Sequence, residues 1–577
     1  MRQRTLKRRG RGRERRLWEL CCLLNIMRYQ KVLMLAFALL LVNLKRSNGT
    51  DGFETDRGVG AELESVLNIP LSKPTLVHLL SNATKKIVVN ISDSTTVGVT
   101  AQAQTQFQNV TISLLKVLHL SSSYSGSSAG LVVPLKQGAV QAHFYITSAE
   151  NVTACVTAVP YSAHDPVPGA CNLEFHLEND PNLHLRDTFY ETVTQFAPAN
   201  LGAERDADPP ACDVEMGTKS RWRLTYDLYQ YFLPENDLSE QSLFEGVVKM
   251  TSVQDVEKHG TKIAVLTSGE KTLLFGNSYT DIGGIYSLIV RDPLLNTSAA
   301  YIPVSTYSCS QSSESPHYCY RYGQVSTQIF FSLLGIYGLF ICFAGHRFLE
   351  AEFLFIGFLL FGFLSFVLLK RFSQISAHLC LIFTAVVGLL GGAVLALCRC
   401  RFGATIFLVL LAGLAFGFLL SAVIFFTPLV NVKVFRSEPL FWVCFVSMAL
   451  VLPVILLSFT KALNILSCAV LGSYAGICLV GAFLPTSLVY ILLDVVRRAV
   501  EPSYSRAIIP VPFQTTDYVL VASWALLAAG GVASQCFLTR NKPPFSQCPY
   551  ESWREKRDAC SERSPLLGPE EHVDVLS

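Results

Sequence analysis

Apolar and polar positions follow two rhythms along this chain, and the change falls near Gln328. Before it, short apolar runs alternate with polar breaks, as at 86–91, 130–135, 142–147, 152–159, 262–267 and 285–292. Turn signals separate them, among them GSSAG at 126–130, PVPG at 167–170 and GG at 283–284. Short, punctuated strands of this kind predict β-sandwich material. The polar region, at about 270 residues, is long enough for two such domains. A helical insertion is predicted at Glu240–Lys258, and DPPAC at 208–212 reads as a linker.

After Gln328 the rhythm becomes long apolar stretches: 326–345, 352–369, 377–398, 403–427, 439–459, 463–484 and 517–538. About 20 apolar residues cross a bilayer as a helix, so these predict an all-α seven-helix transmembrane bundle. Residues 485–502 carry Asp494, Arg497 and Arg498 on one face and read as an amphipathic interfacial or loop helix, not an eighth span. Pro453 predicts a kink in the fifth span. Gly388 and Gly392, Gly413 and Gly417, and Gly472 and Gly476 are spaced to let helix backbones approach closely.

Six N-glycosylation sequons, at Asn48, Asn82, Asn90, Asn109, Asn151 and Asn296, all precede the change of rhythm. Sugar acceptors function only on the lumenal side. Arg28 and Lys31 followed by apolar Val32–Val42 resemble a signal peptide, with a cut expected near Leu44–Thr50. The positive-inside count does not decide orientation. Arg347, Arg399, Arg401, Lys461, Arg540 and Lys542 fall on the inner side, against Lys370, Arg371, Lys433, Arg436, Arg497, Arg498 and Arg506 outside. The signal and the sequons therefore place the N-terminus outside and the tail in the cytosol. The expected division is a basic extension or alternative start at 1–26, signal peptide 27–47, first sandwich 48–180, second sandwich 181–324, bundle 325–538 and tail 539–577.

The chain has 577 residues, half of them hydrophobic and 16% charged, with net charge +3. Nine Lys or Arg crowd into residues 2–16; beside a membrane protein this run reads as a solvated extension, with no nucleic-acid partner. Cys155, Cys171, Cys212, Cys309 and Cys319 lie in the oxidising half. The short-range pairings are Cys155 with Cys171 and Cys309 with Cys319, leaving Cys212 as the odd thiol, although spacing does not determine connectivity.

Chemistry is sparse. The spans show essentially no internal charge, with Glu352, Lys370 and Lys461 at ends, which argues against a charge relay. The histidines of the membrane half, His346 and His378, are also near ends, too few for a metal hydrolase. GxSxG, HExxH and phosphate-loop patterns are missing from the polar half. The third span ends Cys398-Arg399-Cys400 and the seventh lacks proline, which excludes a rhodopsin-like receptor. No catalytic residue, metal or cofactor is expected. In the tail, Glu562, Leu566 and Leu567 form an acidic dileucine pattern of the kind clathrin adaptors bind.

DPVPGACNLEF (165–175), FAPANLG (196–202), RWRLTYDLYQYFLPENDL (221–238) and DPLLNTSAAYIP (292–303), with LFICFAGHRF (339–348), FFTPL (425–429), GSYAG (472–476) and VPFQTTDY (511–518), resemble the transmembrane seven superfamily member three family. The membrane half is also similar to the transmembrane protein 198 group. The resemblance implies a multi-pass protein of plasma and internal membranes linked to cell survival and stress attenuation, with no enzyme activity. The expectation is a membrane glycoprotein whose ectodomain binds a protein or glycan; a channel or transporter regulated by that ectodomain is the alternative.

Overall fold

The computed structural model describes residues 65–308 and 325–541, except 188–190, 236, 280–281, 374, 404, 428–432, 485 and 502–509, together with 543, 545 and 555. The signal segment, Asn48, Cys309, Cys319 and the dileucine lie outside the described residues.

Residues 65–162 form a two-sheet sandwich. One sheet runs in the order Ser65–Ile69, Thr84–Asn90, Gln141–Ser148, Val110–Ser113, Ser123–Gly126. The other runs Thr75–Leu79, Val152–Ser162, Thr96–Gln104, Ser128–Pro134. Alternation along a strand decides which side chains face inward. In Gln141–Ser148 it buries Ala142, Phe144 and Ile146, which meet Ile87, Val99 and Val156 between the sheets. The first strand pairs parallel with Thr84–Asn90.

The second β domain sets Leu183–Asp187, Glu191–Phe196 and Leu273–Asn277 against a sheet of Thr261–Thr267, Thr225–Phe232, Gly284–Asp292 and Thr297–Ala300. Phe196, Tyr226, Leu228, Leu288 and Tyr301 fill its core. The expected helical insertion is two short helices, α1 (Glu240–Val248) and α2 (Val253–His259). Ser239 and Ser252 start them by accepting from Ser242 N and Asp255 N, each at 3.2 Å. They cover Tyr229, Ile285 and Ile289.

The two β domains are stitched together by polar side chains. Asn182 accepts from Gly130 N at 2.8 Å and donates to Gly130 O at 2.9 Å, so it copies a neighbouring strand on the edge Ser128–Pro134. Gln104 Nε2 donates to Pro303 O at 2.8 Å, and Gln106 Nε2 donates to Leu238 O at 2.6 Å.

The apolar half is helical: α3 (Val325–Ala344), α4 (Leu349–Phe372), α5 (Ala377–Phe402), α6 (Thr405–Phe426), α7 (Glu438–Ile455), α8 (Thr460–Gly481), α9 (Tyr490–Val500) and α10 (Thr515–Leu538). Among the described residues, six helical segments are long and apolar enough to cross a membrane. One of them, Glu438–Gly481, has 44 residues and contains both α7 and α8. A straight helix of that length would reach about 66 Å, twice a bilayer core. It turns back instead at Leu456–Phe459. Ser421 Oγ of α6 donates to Phe445 O of α7 at 3.1 Å, while Gly413 of the same helix faces Leu463 of α8.

Pro453 has its effect at that turn. It removes the N–H that Ala449 O would accept from, and it lies two residues before α7 ends. The carbonyl left over rests on Gly417, where a Cβ would collide with it. The other glycines of the sequence pattern also meet facing helices: Gly388 meets Phe358, Gly392 the Leu354 carbonyl, Gly472 the Gly338 carbonyl and Gly476 Leu339. Gly335, Gly338 and Gly357, outside that pattern, make equally close approaches.

Candidate functional site: a domain junction and a buried polar cluster

Two places bring polar groups together. The first is the junction between the second β domain and the bundle. Helix α9 is too short to span, at about 16 Å. One of its faces buries Ile491, Val495 and Val496 against the bundle. The other faces the end of Leu273–Asn277. There Asn277 Nδ2 donates to Asp494 Oδ1 at 2.8 Å, and Arg497 donates to Asn277 Oδ1 and to Gly276 O. Tyr490 donates to Ser278 O, and Tyr279 donates to Pro510 O at 3.3 Å. Burial pushes the Tyr279 phenol well above its ordinary value, with the Asp494 charge adding to it. Glu235 accepts from Thr515 N at 3.1 Å at the start of α10, and this bond lowers its carboxyl below the ordinary value. Arg498 lies over the Phe441 ring at 3.6 Å and donates to Glu438 at 3.1 Å, which ties α9 to α7.

The second place is at the opposite end of the bundle. Asn464 of α8 donates from Nδ2 to Glu352 Oε2 at 2.9 Å and lies 3.0 Å from His346 Nδ1. Gln535 of α10 accepts from His346 N at 3.2 Å and donates to Cys342 O at 2.7 Å. Glu352, Asn464, His346, Gln535 and Arg399 are all buried. Glu352 does lie at the end of its span as expected, but that end is not open to water. It is in the first turn of α4 but fully enclosed, with Asn464 of α8 bridging it to His346 in the turn Gly345–Arg347. The signal overlooked in the sequence was Asn464 and Gln535, two amides inside apolar runs. His378 lies elsewhere, 3.3 Å from Ser326 Oγ. No group of three metal-binding side chains occurs among the described residues.

The cysteine pairing needs correction. Cys171 bonds Cys212 across 41 residues, and Cys155 is a free, buried thiol. Strand parity is the reason. Ala154 and Val156 point into the first sandwich, so Cys155 points to the opposite face, where Tyr229, Leu243 and Ile289 of the second domain cover it. Burial raises its thiol to about 11.

The sequon asparagines Asn82, Asn90, Asn109, Asn151 and Asn296 are all exposed. Three share one end of the first domain. Ser81 N donates to Asn151 Oδ1 at 2.7 Å, Asn82 N to Ser148 O at 2.8 Å and Ser148 Oγ to Asn109 O at 3.1 Å. Asn82 and Asn296 adopt left-handed backbone, at φ 58° and 55°, which asparagine tolerates in tight turns.

Two stacked immunoglobulin-like domains seated on a multi-pass helical bundle define the class of this membrane protein. Family models agree in order and extent. Residues 65–161 match a TM7SF3-like N-terminal immunoglobulin-like domain and 166–312 the second such domain. Residues 331–536 match the TM7S3/TM198-like domain. Transmembrane 7 superfamily member 3 of Mus musculus is 40% identical over 533 residues, covering 92% of each chain. The Homo sapiens protein of that name is 40% identical over 513 residues, covering 88% of this chain and 87% of its own. The chain belongs to the TM7SF3 family. Among solved structures, a β-1,2-glucanase from Parabacteroides distasonis aligns with 43% of this chain and 31% of its own at 11% identity. Its TM-score is 0.13.

Proposed function

We propose that this chain is a non-enzymatic, multi-pass glycoprotein of the cell membrane. Its immunoglobulin-like ectodomain recognises a protein or glycan, and its bundle anchors that domain in the bilayer and relays its state. The observation that carries the reading is the junction. The second domain is fastened to α9 and α10 by Asn277, Tyr279 and Glu235, so a load on the β domains acts directly on the bundle. Helices closed by glycine on backbone, as at Gly392 and Gly417, support an anchor and relay over a channel.

In this reading the N-terminus is extracellular or lumenal, with sugars at Asn48, Asn82, Asn90, Asn109, Asn151 and Asn296. The tail is cytosolic, and Glu562, Leu566 and Leu567 engage a clathrin adaptor and route the protein through endosomes or lysosomes. The family resemblance adds a role in cell survival and stress attenuation. Proximity labelling in living cells tests the assignment, with one label on the N-terminal side and one on the tail. Surface proteins from the first and clathrin adaptors from the second are expected. Heterotrimeric G proteins at the tail, or cytosolic proteins at the N-terminal label, would contradict it. Cells lacking the chain should survive less well under an unfolded-protein load; equal survival removes the stress role.

A further inference from the structure

We infer that Glu352, Asn464 and His346 form a proton-binding site that couples the charge of one buried carboxyl to the hydrogen bonding between α4 and α8. The argument is one of hydrogen-bond satisfaction. As oriented, the Asn464 amide nitrogen serves both Glu352 Oε2 and His346 Nδ1. That leaves two fully buried acceptors, Glu352 Oε1 and Asn464 Oδ1, without a partner, the Cys468 thiol being the one further donor that faces the carboxylate. Buried acceptors without donors are rare and destabilising. Which end of an amide is nitrogen is an assignment from the surrounding bonds. Turned over, the Asn464 oxygen accepts from a protonated Glu352 and from the Nδ1–H tautomer of His346. One proton added to the carboxylate thus adds a donor to a cluster whose acceptors outnumber its donors. The balance is simple: a carboxylate and a proton from water give a carboxylic acid, while His346 stays neutral and changes tautomer.

The groups facing Glu352 come from every helix packed there. Arg399 of α5 lies over the ring of Phe353, the residue next to Glu352, at 5.9 Å. The Cys468 thiol of α8 faces the Glu352 carboxylate and accepts from the Asn464 nitrogen at 3.9 Å, and Cys342 of α3 is near it. Lys461 is engaged by Thr539 O at 3.2 Å, and Glu350 by Cys400 Sγ at 3.7 Å. The site therefore offers two hydrogen-bond arrangements between α4 and α8, one with the carboxylate and one with the carboxylic acid.

The test uses the full-length chain in lipid nanodiscs, titrated from about pH 5 to about pH 9, between ordinary carboxyl and thiol values. Infrared difference spectroscopy reads the carboxylic-acid carbonyl band. A band that disappears with rising pH in the wild type and is missing from Glu352→Gln is expected. Asn464→Ala is expected to displace its midpoint by about one pH unit or more. Identical spectra for wild type and Glu352→Gln, or a midpoint indifferent to Asn464→Ala, overturn the inference. If Glu352→Gln does not fold, carbon-13 labelling of glutamate in the wild type makes the assignment. Among the described residues Glu352 is the buried glutamate, and a titrating band that fails to move with the label also overturns the inference.

Discussion

Placing a methyl group at Gly357 should damage the bundle, and placing one five residues further along the same helix should not. Both glycines lie on α4 and face α5. A Cβ at Gly357 would lie 2.6 Å from the Gly392 Cα, whereas one at Gly362 would lie 3.7 Å from Thr384, an ordinary contact. Reaching 3.4 Å requires α4 and α5 to separate by 3.4 − 2.6 = 0.8 Å, and the obstacle is backbone that cannot rotate away. Overpacking of this kind costs about 1–3 kcal/mol. A gap of that size along the remaining contacts forfeits a quarter to a half of each contact's attraction. Gly362→Ala carries no such strain and gains up to about 1 kcal/mol from helix propensity. The two variants should therefore differ by about 3 kcal/mol, roughly a hundredfold in the unfolding equilibrium. Reversible unfolding of the full chain in mixed detergent micelles, followed by circular dichroism, measures it. A Gly362→Ala variant as unstable as Gly357→Ala would refute the reasoning.

Three further outcomes follow. Cys171→Ser should destabilise the second β domain by about 4 kcal/mol, the chain-entropy value for a loop of this length; a cross-linked peptide containing Cys171 and Cys212 in a non-reduced digest checks the connectivity. Cys155, with its thiol raised to about 11, holds little thiolate at neutral pH. A maleimide should leave it unmodified in the native protein, with reactivity rising as pH approaches that value or as the domains unfold; rapid native labelling would show that the domains part. Asp494→Ala, leaving Asn277 Nδ2 without its charged acceptor, should lose about 1.5–3 kcal/mol at the junction and speed amide exchange in Leu273–Asn277 about tenfold or more; exchange unchanged there would mean that α9 does not hold the domain.

The sequence revealed what depends on local periodicity. Phe144 and Ile146 at period two, and the long apolar runs, gave the sandwich and the bundle because burial on one face leaves a repeating mark. Gly392 and Gly417 were legible as close-approach positions, but their partners, Leu354 and Ala449, were not, since nothing local says which helix comes opposite. Cys155 misled because its strand is buried on both faces, by its own sandwich and by the second domain, and docking between domains has no periodic signature. Glu352 misled for a related reason. Distance from a helix end stood in for exposure, but the end is covered by Asn464 and His346, which meet it only after folding. Helix α9 was read as a polar-faced surface helix; the polar face is there, and it meets protein as well as solvent.

The central claim is that two immunoglobulin-like domains stand outside the cell on a bundle that crosses the membrane. Treating intact cells with a peptide N-glycosidase tests it most directly. The claim predicts that the surface-labelled chain loses apparent mass to the same value reached after detergent lysis. Five exposed acceptors, Asn82, Asn90, Asn109, Asn151 and Asn296, would carry the sugar on the accessible side. A surface-labelled chain that changes mobility only after lysis, or not at all, would contradict it.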